Sequence, residues 1–130
     1  MNITVLGAGS WGTTLAHLMS RKHSVSLWAR SATSVSEIND HKTLNRYLDE
    51  ASLHPDLTAH HELEASLHGA EIIIVAIPSQ NFRQVLAEAS PFVKSGTPMI
   101  SVSKGLELTS RRRMTEIIRC LLYTSDAADE

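Results

Sequence analysis

Cysteine is almost absent. Cys120 stands alone among 130 residues, so no internal disulfide can form, which suits a reducing compartment. Long hydrophobic runs are also missing. The longest covers residues 72–77, far short of the roughly 20 apolar residues that cross a bilayer. The first six residues lack the basic start and extended apolar stretch of a secretory signal. The expectation is therefore a cytoplasmic protein with no membrane partner. Positive charge is not in excess either: the net charge is −2, which gives no electrostatic case for a nucleic-acid partner. The one basic cluster, Arg111-Arg112-Arg113, reads as a solvated helix start. Seven histidines are present, but they lack the cysteine or His-Glu-x-x-His spacing of zinc sites, so no metal is expected.

What the chain does have is alternation. Residues 1–6 are apolar and β-branched and end at a glycine turn, the mark of a strand. A helix follows over residues 11–22, with Leu15, Ala16, Leu18 and Met19 at helical spacing. Residues 25–28 form a second strand. Residues 31–39 form a second helix, for which Thr33 or Ser34 could supply the cap. The polar stretch 40–55 reads mostly as loop. A brief third strand is expected at 57–60 and a short helix at 62–67, closed by Gly69. Residues 72–77 are uniformly apolar. A strand covered by helices on both sheet faces, as in a parallel sheet, has that character. Pro78 stops it, and Ser79 reads as the cap of a helix over 80–89. A fifth strand at 97–102 and a last helix at 110–119 complete the series.

Five strand–helix alternations predict an α/β fold with a doubly wound, mostly parallel sheet and right-handed crossovers. Residues 1–119 would form one domain of this kind. Residues 120–130 turn small and acidic where another strand is due. They resemble the translation of a sequencing-adaptor end, so they are expected to be a foreign tail.

Chemistry concentrates at Gly7-Ala8-Gly9-Ser10-Trp11-Gly12. The first glycine permits the sharp turn. The second lets backbone approach a pyrophosphate, and the third lets helix and strand pack closely. The helix start offers unpaired N–H groups and partial positive charge to an anion. A lone glycine pattern is a weak signal. Here it follows an N-terminal strand and opens an amphipathic helix. At the end of the second strand, folds specific for NAD place Asp or Glu to hold the ribose. This chain has Trp28-Ala29-Arg30-Ser31. A guanidinium there can pair with a 2′-phosphate and stack on adenine, so NADPH is expected to serve at least as well as NADH.

Four strings taken together resemble bacterial NAD(P)-dependent glycerol-3-phosphate dehydrogenase. They are Gly7 to Thr13, Leu27-Trp28-Ala29-Arg30, Ile74-Val75-Ala76-Ile77-Pro78-Ser79 and Val102-Ser103-Lys104-Gly105-Leu106-Glu107. The resemblance implies hydride transfer between sn-glycerol 3-phosphate and dihydroxyacetone phosphate, with NADPH or NADH as cofactor, for glycerophospholipid synthesis. It implies that Gly7, Gly9, Ser10, Trp11, Gly12 and Arg30 contact the cofactor, and that the full-length enzyme is a homodimer acting on a small phosphate substrate. Lys104 would lie near both nicotinamide and substrate. Tyr47 would line the cofactor cleft, although this chain has Tyr47-Leu48-Asp49 where the family often has Tyr-Leu-Pro. The resemblance also implies that residues 1–119 are an incomplete dinucleotide-binding domain of Rossmann type, truncated before its last strands and before a helical C-terminal domain. In the family the general base is a lysine of that second domain, so the 130 residues alone are expected not to turn over. Lys104 has a physical case of its own. It follows the carboxyl end of a strand, where open α/β sheets bind ligands, and an ammonium there can attract a phosphate or polarise a carbonyl. Two other functions share the glycine turn. One is a non-catalytic nucleotide-binding or redox-sensing module. The other is a related small-substrate dehydrogenase, such as a ketopantoate reductase or a hydroxyacyl-CoA dehydrogenase. Neither calls for the string Ser103-Lys104-Gly105-Leu106-Glu107.

Overall fold

A computed structural model describes residues 1–43 and 52–102. Tyr47, Lys104, the helix expected at 110–119 and the tail at 120–130 lie outside the described residues.

Among the described residues, five strands form one sheet: β1 (Asn2–Leu6), β2 (Ser24–Trp28), β3 (Thr58–His60), β4 (Ile72–Val75) and β5 (Met99–Ser101). Their order is β3-β2-β1-β4-β5, and every pairing is parallel. Between them run α1 (Ser10–Met19), α2 (Ala32–His41), α3 (Leu63–Leu67) and α4 (Ser79–Ala89), the last followed by a 3₁₀ turn at Ser90–Phe92. This is the doubly wound sheet that the alternation predicts.

Apolar residues fill both sides of the sheet. Ile3, Val5, Val25, Leu27 and Ile74 pack with Ala16 of α1 and Ile38 of α2. Leu6, Trp28, Ile73 and Val75 pack with Leu67 of α3 and with Phe82, Val85 and Leu86 of α4. Within β4, Ile74 thus serves one layer while Ile73 and Val75 serve the other. A strand with two dry faces has no place for a polar alternate, which explains the unbroken apolar run. Thr4 is the buried polar residue of β1, and its hydroxyl donates to the Ser66 carbonyl.

Four local expectations need correction. The cap of α2 is Ser31, not Thr33 or Ser34: its hydroxyl accepts from the Ser34 amide at 3.3 Å, and the helix opens at Ala32. The same helix runs on to His41, past the expected stop, and closes where Lys42 takes a left-handed conformation at φ 55°. In α4 the cap position belongs to Pro78, and Ser79 is the first helical residue. Proline has a fixed φ and no N–H to lose, so it suits the start of a helix. The fourth strand also ends at Val75 rather than Ile77, because the chain past it turns to meet the glycine turn.

The outer edge of β3 is partly closed by a side chain. The Asn39 amide donates to the Ala59 carbonyl at 2.9 Å, and its oxygen accepts from the Ala59 N–H at 2.8 Å. Asn39 thereby does for one residue what a neighbouring strand would do.

Candidate functional site

Strand β1 sits in the middle of the sheet. From it the chain moves out to β2 and β3 on one side, then returns to build β4 and β5 on the other. A crevice therefore opens beyond the carboxyl ends of β1 and β4, the usual ligand position in open α/β sheets.

The turn after β1 is built by backbone contacts. Gly7 continues the ladder by donating to the Trp28 carbonyl at 3.0 Å, then takes φ +115°, a conformation that L side chains rarely adopt. A Cβ on Gly7 would overlap the Ala76 carbonyl oxygen, and one on Gly12 would overlap the Gly7 carbonyl oxygen. These two glycines are required by the protein's own packing, which locks the start of α1 against the ends of β1 and β4. Gly9 is different. It has an ordinary φ of −76°, and a Cβ there would meet nothing within 4 Å. The space it leaves empty belongs to the cleft.

The start of α1 has no side-chain cap and no acidic residue in its first turn. Its first intrahelical amide bond is from Thr13 to the Gly9 carbonyl, at 3.0 Å. The preceding N–H groups have no helical partner and lie at the positive end of the helix dipole. The cradle fits a diphosphate on two counts: donors without internal acceptors, and a side-chain-free position beside them.

A cleft of about 690 Å³ extends from this cradle. Gly7, Gly9, Ser10, Trp11, Gly12 and Arg30 all line it, so every expected cofactor-contacting residue in the described part of the chain faces one space. Trp11 is 57% exposed. The opposite wall comes from Ala76, Ile77 and Pro78 after β4, Asn81 and Val85 of α4, and Val102 after β5. None of these was singled out as a contact from sequence. Their position after the carboxyl end of the switch-point strand is the signal that could have found them.

At the far end, Trp28, Ala29, Ser31 and Ser34 join Arg30. The guanidinium carbon of Arg30 lies 5.5 Å from the centroid of the Trp28 ring. Trp28 itself is buried, and its indole N–H donates to the His61 carbonyl at 3.0 Å. Among the described residues lining the cleft, Arg30 alone is charged, and no carboxylate is present. The lining thus favours an anionic ligand and leaves a 2′-phosphate unopposed.

Among the described residues, no group of three or more His, Cys, Asp or Glu could hold a metal ion, and no helix is long and apolar enough to cross a membrane.

Comparison with known proteins gives consistent results. Residues 2–128 match the family model described as NAD-dependent glycerol-3-phosphate dehydrogenase N-terminus. A glycerol-3-phosphate dehydrogenase [NAD(P)+] of Sphingopyxis alaskensis is 42% identical over 122 residues, which is 94% of this chain and 37% of that protein. One from an Anaeromyxobacter species is 42% identical over 123 residues, with the same coverage. The crystal structure of a glycerol-3-phosphate dehydrogenase from Coxiella burnetii superposes with a TM-score of 0.86 at 35% identity, covering 93% of this chain and 37% of that one. The chain thus spans about 37% of the length of these relatives.

Proposed function

This chain belongs to the NAD-dependent glycerol-3-phosphate dehydrogenase family, as its N-terminal part, and we propose that it holds the NAD(P) cofactor of an enzyme interconverting sn-glycerol 3-phosphate and dihydroxyacetone phosphate. Bound nicotinamide would supply or accept the hydride. The chain's own residues bind and orient. The backbone at Gly9, Ser10 and Trp11 takes the pyrophosphate, and Gly7 and Gly12 keep that backbone in place. Trp11 contacts the cofactor beside the turn. Arg30 takes the adenosine end, where its charge makes NADPH at least as good a ligand as NADH. By the family resemblance, Lys104 would attract the substrate phosphate or polarise the carbonyl, and Tyr47 would be a further cofactor-binding residue.

The observation that carries this reading is Gly9. Packing demands glycine at positions 7 and 12 but not at 9, where a side chain would enter only the cleft. The donors beside it lack helical acceptors and face the same cleft, the arrangement in which a helix start receives an anion. The wider role proposed is that of a homodimeric cytoplasmic enzyme feeding glycerophospholipid synthesis, a reading consistent with family membership. Residues 120–130 are proposed to be foreign to the domain on their composition and their resemblance to a translated sequencing-adaptor end, although the family match runs on to residue 128. The DNA sequence past codon 119 in the source genome decides that point.

Calorimetric titration with NADPH and with NADH tests the cofactor assignment. Saturable binding of both, with NADPH at least as tight, is expected. A clear preference for NADH would refute the role given to Arg30.

A further inference from the structure

We propose that Trp28 is a positioning residue: it fixes the Arg30 guanidinium at the far end of the cleft and so sets how strongly the site distinguishes a 2′-phosphorylated adenosine from an unphosphorylated one. This rests on the reading that the cleft takes a nicotinamide dinucleotide. Arg30 follows β2 by two residues and is exposed, and an exposed arginine on a flexible stem samples many rotamers. Here it has a platform. The Trp28 ring lies under the guanidinium at 5.5 Å, within cation–π range, and tryptophan is the best aromatic for that contact.

The platform itself cannot swing. Trp28 is 5% exposed, packs in the layer with Leu6, Leu67 and Phe82, and is pinned through its indole N–H to the His61 carbonyl. The intervening backbone is held too, since the Ala29 amide donates to the His60 carbonyl at 2.9 Å. A planar cation parked on a fixed ring keeps its in-plane N–H donors free for an anion. A phosphate arriving there meets a guanidinium whose freedom is already restricted. Pre-ordering of this kind strengthens binding of the phosphorylated ligand more than that of the unphosphorylated one.

The test is the ratio of NADH to NADPH dissociation constants, measured on the whole chain and its variants. Trp28→Leu, which removes the ring face, is expected to weaken NADPH about two- to five-fold, the size of an exposed cation–π contact. NADH affinity should change less, so the ratio falls. Trp28→Phe keeps a ring and most of the volume, and should give a smaller fall in the same direction; it carries the test if the leucine variant does not fold. In an Arg30→Ala background neither change should alter the ratio further, because Trp28 acts through Arg30. Equal weakening of both cofactors, or the same fall in ratio without Arg30, would reduce Trp28 to a core residue and overturn the proposal. If Arg30→Ala lowers the ratio while both Trp28 variants leave it unchanged, the proposal fails and the role of Arg30 stands. If Arg30→Ala itself changes nothing, both fail.

Discussion

Gly9→Ala and Gly12→Ala differ by three positions in sequence and should fail in opposite ways. At position 9 the new methyl meets no atom within 4 Å, and φ is an ordinary −76°. Alanine is a poorer N-cap than glycine, but it restricts the unfolded chain; the two effects offset to within roughly 1 kcal/mol. Stability should therefore barely move. The same methyl stands where the pyrophosphate must approach the helix start. Losing one charge-assisted hydrogen bond costs about 1.5–3 kcal/mol, or roughly 10- to 100-fold in cofactor affinity. At position 12 the methyl overlaps the Gly7 carbonyl oxygen and comes to 3.2 Å from the Ala76 Cβ. Backbone cannot yield as a side-chain tip can, so the cost falls on the fold, at roughly 1–3 kcal/mol or more. That lowers the melting temperature by about 2–8 °C per kcal/mol for a domain of this size. Thermal melting and cofactor titration on the two variants separate the effects. A Gly9→Ala protein that melts normally and binds both cofactors as tightly as the parent would refute the reasoning.

Three further outcomes are expected. Asn39→Ala strips both partners from the Ala59 backbone, which is 2% exposed, and should cost about 1–3 kcal/mol in urea unfolding with cofactor binding retained. Phe82→Ala empties a fully buried site between α4 and the sheet and should cost about 3–5 kcal/mol by the same assay. Raising ionic strength should weaken NADPH more than NADH, since a partly exposed Arg30–phosphate pair is screened while stacking and backbone contacts are less affected; equal salt slopes in titrations would count against the pair.

Much of this was legible in sequence because the signals are local or periodic. The run at residues 72–77 announces a strand with two covered faces, and the structure divides Ile73, Ile74 and Val75 between two layers as that requires. The glycine spacing announces the turn, and Gly7 and Gly12 interlock as the pattern implies. What sequence could not show is contact between distant segments. The second wall of the cleft, from Ala76, Ile77, Pro78, Asn81 and Val102, exists only because β4 pairs beside β1 and β5 beside β4. Trp28 looked like one more strand residue; its link to His61, 33 residues away, depends on β3 lying beside β2. The α2 cap was misplaced because 31–36 offers several hydroxyls in a row, and only backbone geometry selects Ser31.

The most direct measurement follows the backbone amides of Gly9, Ser10, Trp11 and Gly12 by two-dimensional NMR while NADPH is added to the folded chain. Their resonances should move to saturation together with that of Ala29 or Arg30, marking the two ends of one bound dinucleotide. Saturable binding that leaves the four turn amides unmoved, or no binding at millimolar cofactor, would contradict the account.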